Sequence, residues 1–192
     1  MASRTIFEEL YSQIERGRVR VVSGKYFIQQ SRVREIFTPE NIELAVAELI
    51  CDAHERVGLA KKIQQEGTIV FAILVWMRKA DFIVSFRNHE CLDSKLPLHE
   101  ARAQEIAEDF GLSFAREYQW QFLPYVFKED MCDYHRQIDD VGMIFPFIGQ
   151  VEHIAEGGFG QISRLTIPAS LQEFFPNAVR AGTHLCGSLM TC

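Results

Sequence analysis

The chain has 192 residues, is 47% apolar and carries a formal net charge of −6. That much apolar material builds a core of ordinary size and excludes a disordered chain. Residues 129 to 192 hold eight acidic residues against Arg136, Arg164 and Arg180, so no basic stripe is offered to a phosphate backbone and nucleic acid is not an expected partner.

Ile6, Phe7, Leu10 and Ile14 recur at helical spacing behind a Ser3 or Thr5 cap, with Glu8, Glu9 and Glu15 opposite them. This predicts an amphipathic helix over residues 3 to 16, ended by Gly17. Val19, Val21, Val22, Tyr26 and Ile28 around Ser23-Gly24 suit a short hairpin, with a helical continuation as the alternative. Thr38-Pro39-Glu40-Asn41 marks a helix start. Threonine caps, proline at the first helical position forfeits no needed hydrogen bond, and an acid suits the positive end. The predicted helix runs from Pro39 to about Val57, buries Ile42, Val46, Leu49, Ile50 and Ala53, and stops at Gly58.

Gly67-Thr68 is read as a second break. Ile69 to Met77 then follows, apolar on every side, which is the pattern of a central bundle element. It is about half as long as a bilayer span requires, so no membrane crossing is expected. Phe82, Ile83, Val84 and Phe86 continue the helical character, and Leu92-Asp93-Ser94-Lys95-Leu96-Pro97 reads as turn and loop. Glu100 to Asp109 is a further short helix closed by Gly111. Gln119 to Phe127 is expected to lie extended against the bundle with its polar residues outward. From Ile144 the pattern becomes strand, tight glycine turn, strand, through Val151, Ile154, Ile162, Leu165 and Ile167.

The string Ile154-Ala155-Glu156-Gly157-Gly158-Phe159-Gly160-Gln161-Ile162 resembles the glycine-rich loop of protein kinases. By position Gly157 and Gly160 match the second and third loop glycines, Ala155 stands where the first belongs, and Ile162 replaces the usual valine above the adenine. Glycines in such a loop permit positive φ and let backbone amides approach phosphates. Val70 to Val75, Leu92 to Pro97 and Gln119 to Pro124 resemble the helical region preceding the kinase domain in a family of filamentous-fungal kinase-like proteins. The likeness runs over roughly residues 1 to 174.

That resemblance implies a mainly α fold: a helical domain over 1–143, a kinase-like glycine-rich hairpin over 144–174, and a divergent tail over 175–192. It also implies what a phosphotransferase would need, a strand lysine after the loop and two later aspartates, one catalytic and one metal-binding. Here Lys128 is the last lysine, which suggests a reading frame truncated or mis-spliced before the catalytic parts. The expectation is a catalytically incompetent kinase-like remnant, with no catalytic residue, cofactor or metal and a vestigial turn at Gly157, Gly158, Phe159 and Gly160. The alternative is a protein-interaction or regulatory module, an accessory of a fungal pathway, whose helical region binds a protein partner or a second copy.

Other patterns carry less. Asp109-Phe110-Gly111 and His135-Arg136 spell kinase fragments but precede the glycine turn, the reverse of the required order. His135, Asp139 and Asp140 are possible metal ligands, yet the nearest second histidine is His153, so a solvated loop is the simpler account. Cys51 and His54 share a predicted helix face, and ordinary packing explains them as well as catalysis does. The five cysteines, with Cys186 and Cys192 in the tail, form no C-x-x-C pair. They suit free thiols in the cytoplasm or nucleus, and no apolar leader segment follows Met1. Trp76, Trp120, Phe122, Tyr125 and Phe127 belong either to the core or to a partner groove. Strands over 150 to 167 without the rest of an N-lobe are expected to leave bare edges.

Overall fold

The computed structural model describes residues 5–128, 142–157, 160–173 and 183–189. The fold is mainly helical, with a small antiparallel β component. The chain divides into two units, Met1–Arg18 with Ile28–Leu123, and Val19–Phe27 with Pro124–Cys192. The division does not coincide with the ranges read from the sequence. Residues 19–27 group with the C-terminal strands, and the helical unit ends at Leu123.

The first unit is built around α5 (Thr68–Trp76), whose residues from Val70 to Trp76 are all buried. This bears out the central-helix reading, because a segment apolar all round loses its hydration cost only when other elements surround it. Against it pack α1 (Ile6–Gly17) through Leu10 and Ile14 and α2 (Gln30–Ile36) through Val33 and Ile36, while α3 (Pro39–Leu49) packs on α1 and adds Ile42, Ala45 and Val46 to the same core. The caps are as expected: Thr5 Oγ1 accepts from the Glu8 amide, and Thr38 Oγ1 accepts from the Asn41 amide, each at 3.3 Å.

The single helix expected from Pro39 to Val57 is two helices. The chain is extended at Ile50, and Asp52 caps α4 (Ala53–Lys62) by accepting the Glu55 amide at 2.8 Å. Arg56 fastens the junction by donating to the carbonyls of Ile50 and Cys51. A short acidic side chain that can satisfy helix-start amides here outcompetes continuation of α3. Ala53 accordingly lies exposed at the start of α4.

Three glycines read as helix stops are not stops. Gly58 sits inside α4. Gly67 ends a π-helical turn, Ile63–Gly67, that carries α4 directly into α5, and Leu92 packs so close that a Cβ on Gly67 would lie 3.2 Å from it. Gly111 opens α8 (Gly111–Ser113) after α7 (Glu100–Ile106), where a Cβ would stand 2.2 Å from the Ala103 carbonyl oxygen. Only glycine permits that approach.

Between α5 and α7 lie α6 (Ile83–Asn88) and a short 3-10 turn, Asp93–Lys95. A second π-turn, Phe114–Tyr118, leads from α8 into α9 (Gln119–Phe122), so the start of the aromatic segment is helical rather than extended. Its polar residues also point inward. Gln119 is buried, with Oε1 accepting from the Leu98 amide at 2.8 Å and Nε2 donating to the carbonyls of Leu98 and Ala115. Gln121 Oε1 accepts from the Trp76 indole at 3.2 Å.

The second unit contains the hairpin β1 (Val19–Arg20) and β2 (Tyr26–Phe27), which decides for the hairpin over a helical continuation. Gly24 takes φ +83 in its turn, a conformation few side chains tolerate. The Val22 amide donates to the Phe147 carbonyl at 2.8 Å. β3 (Ile148–Gly157), β4 (Gly160–Ile167) and β5 (Thr183–Leu189) form an antiparallel sheet in that order. Ser163, Leu165 and Ile167 are buried along one face of β4, the period-two alternation of a half-buried strand. Part of the expected divergent tail is therefore β5, which occupies the edge of β4 expected to be bare.

Candidate functional site

The glycine turn is the site the sequence singled out, and strands flank it as predicted. β3 and β4 converge from Glu152↔Arg164 through Ala155↔Ile162 and Glu156↔Gln161 to Gly157↔Gly160. The register shifts twice along β3, between Ile148 and Glu152 and again between His153 and Ala155. Gly158 and Phe159 lie outside the described residues. Val151 and Ile154 are exposed on β3, at 47% and 43%. Arg164, the cation of β4, is engaged across the strands with Glu152 at 3.0 Å. Neither β4, which follows the turn, nor β5, which pairs with β4 and reads Thr-His-Leu-Cys-Gly-Ser-Leu, offers a lysine.

The remaining sequence candidates separate cleanly. Within Asp109-Phe110-Gly111, Asp109 is exposed, Phe110 is buried edge-on against Phe82 at 4.7 Å, and Gly111 serves packing. Cys51 is not on a helix with His54. It lies exposed in the α3–α4 junction, ahead of the cap at Asp52. His135, Asp139, Asp140 and Cys132 fall outside the described residues, as does Cys192. Among the described residues no group of three His, Cys, Asp or Glu side chains converges as a metal site. Cys186 is held in β5, in register with Arg164. Trp76, Trp120 and Phe122 are buried in the helical unit. Tyr125 and Phe127 are half-buried in the second unit, where their rings meet Phe145 at 5.1 and 6.4 Å and Phe127 also meets Phe147 at 5.8 Å.

Three constellations had no signal in the linear sequence. In the first, the Arg78 guanidinium lies 4.3 Å over the Tyr11 ring, Tyr11 stacks on Trp76 at 4.5 Å, and the Arg18 guanidinium lies 4.6 Å over Trp76. Arg78 adopts φ 58, a strained conformation for a side-chain-bearing residue. In the second, Arg102 Nε donates to the buried Cys91 sulfur at 3.3 Å and its Nη2 donates to the His89 carbonyl at 2.9 Å. A cavity of about 390 Å³ opens there, with His99 and Lys95 also in its wall. The Arg102 guanidinium is held above its ordinary pKa, chiefly by its bond to Glu105 and then by Cys91.

The third is Asp93. Its two carboxylate oxygens accept from the amides of Ile69 and Val70, at 3.0 and 2.9 Å, and so cap α5 from a distant loop. Burial pushes its pKa above the ordinary value, against the pull of those amide bonds.

Comparison with known protein families, with curated proteins and with solved structures found no match. Among the described residues no helix is long and apolar enough to cross a membrane.

Proposed function

We propose that residues 1–192 form a kinase-like unit that does not itself transfer phosphate and works in the cytoplasm or nucleus. The observation that carries this reading is the pairing of Gly157 with Gly160 at the end of the β3–β4 hairpin, together with the absence of a lysine from β4 and from β5 beside it. In a kinase the lysine after the loop grips the nucleotide phosphates, and catalysis is mostly positioning and charge neutralisation. A glycine hairpin without that cation supplies one wall of a cleft and nothing to neutralise a transferring phosphoryl group. Incubation with labelled ATP, Mg²⁺ and a generic acceptor protein is expected to transfer no label. Transfer that disappears in Gly157→Val would overturn the reading.

A second reading, an interaction or regulatory module acting through its helical unit, draws on exposed apolar side chains there. Leu44 on α3 is 57% exposed and Val57 on α4 is 71% exposed. Single exposed apolar residues are common, so the reading depends on what they do in solution. Sedimentation of the wild type against Leu44→Glu and Val57→Glu tests self-association. A concentration-dependent dimer abolished by either substitution supports this reading, and an invariant monomer removes a second copy as the partner.

A further inference from the structure

A cavity of about 260 Å³ lies within the helical unit, between α2, α3 and the π-turn that precedes α5. Val33 from α2, Phe37 just past its end, Ile42 from α3 and Ile69 from α5 give it apolar walls, and Asp93 stands in the lining. Gln64 and Gln65 reach it because the π-turn Ile63–Gly67 inserts an extra residue into the helix. Such single-turn insertions disturb helix packing and are concentrated at functional sites.

Asp93 caps α5 from a separate loop, not from the residue ahead of the helix. The capping group is a half-buried carboxylate. Among the described residues no lysine, arginine or histidine lies within ion-pair distance of it. The amides at the start of α5 compensate part of the charge, and the carboxylate keeps acceptor capacity for a further donor. A displaced acid in a cleft is a recognised mark of a site.

We propose that this cavity binds a small organic cation, a primary ammonium on an apolar body, with the ammonium on the Asp93 carboxylate and the body against Phe37 and Ile42. The volume is below the roughly 300–1,000 Å³ of pockets for drug-sized ligands, so the ligand is smaller than that class. Arg34 also lines the cavity and is the feature that works against a cation. It is exposed on α2, and its own charge would favour an anion instead.

Phenethylammonium and phenylpropionate present the same ring with opposite charge and distinguish the two outcomes. Titrated into the full chain, phenethylammonium is expected to shift the amide resonances of Ile69 and Val70 saturably, in the millimolar range, and phenylpropionate to bind at least about tenfold more weakly. Arg34→Gln is expected to tighten phenethylammonium about two- to fivefold by removing the opposing charge. Asp93→Asn should abolish the response. Where that variant does not fold, the opposite-charge pair and Arg34→Gln still decide the matter in chains that retain Asp93. Equal or tighter binding of phenylpropionate, shifts that never saturate, or weaker binding in Arg34→Gln would each overturn the proposal.

Discussion

One substitution, glycine to alanine, is expected to have opposite effects at two positions of the helical unit. At Gly111 an added Cβ would meet backbone only: the Ala103 oxygen at 2.2 Å, the Ala103 carbonyl carbon at 2.4 Å and the Gln104 nitrogen at 2.6 Å. No rotamer change relieves a clash with backbone, so α8 would have to retreat from α7 by about 1 Å in a tightly packed interior. Overpacking of this kind costs about 1–3 kcal/mol, and the better helix propensity of alanine returns at most about 1 kcal/mol. The net expectation for Gly111→Ala is a loss of on the order of 2 kcal/mol, or about 1 M in the urea midpoint. At Gly58, inside α4, nothing lies within 4 Å of the added Cβ. Gly58→Ala should therefore stabilise by about 0.5–1 kcal/mol. Trp76 and Trp120 are the two tryptophans and both are buried in this unit, so urea titration by tryptophan fluorescence reads both variants. A Gly111→Ala chain as stable as the wild type, or a Gly58→Ala chain less stable, would refute the packing described for α4, α7 and α8.

Asp93 gives a pH signature. Burial holds its folded pKa above the ordinary carboxylate value, so the folded chain holds this proton more tightly than the unfolded chain. The resulting stability is present below that value and is lost as pH rises through the raised pKa. Asp93→Asn removes this decline, and its stability relative to wild type should rise as pH increases through the raised pKa in parallel urea titrations. A relative stability that falls over that range contradicts the burial of the carboxylate. Gln119→Leu should cost about 2–3 kcal/mol, because the buried amide and carbonyl of Leu98 lose their partners, and thermal unfolding would record a midpoint several degrees lower. Tyr11→Leu keeps much of the apolar area but ends the stacked array, and a loss of about 1–2 kcal/mol in the same urea assay is expected.

Where the information is local, the sequence was readable. The Thr5 and Thr38 caps, the proline at the start of α3, the apolar faces of α1 and the all-round apolar α5 depend on residues within a turn or two of each other. The break at Ile50 was readable too, since Asp52 is followed three residues later by Glu55, the spacing of a helix start. An apolar stripe running through Leu49, Ile50 and Ala53 concealed it. Gly67 and Gly111 depart from the expected helix stops for a different reason. Their role is set by Leu92 and Ala103, which local periodicity does not report. Gln119 reads as outward-facing because polar residues usually are, and its inward position depends on Leu98, 21 residues away. β5 contains a glycine and no strict alternation, so only its pairing with β4 defines it.

The candidate site divides along the same line. The hairpin flanking Gly157 and Gly160 follows from glycine chemistry and nearby β-branched residues, and it is present. The Cys91–Arg102 contact and the Asp93 cap of α5 join residues from separate elements, a relation carried by tertiary structure alone.

Whether the glycine hairpin has a nucleotide to hold is the question on which the account turns. Calorimetric titration of Mg-ATP into the full chain measures it directly. No detectable heat of binding is expected, because β5 supplies no lysine and the hairpin forms one wall only. Saturable binding at micromolar concentration, lost in Gly157→Val, would contradict the account and restore this turn as a working phosphate loop.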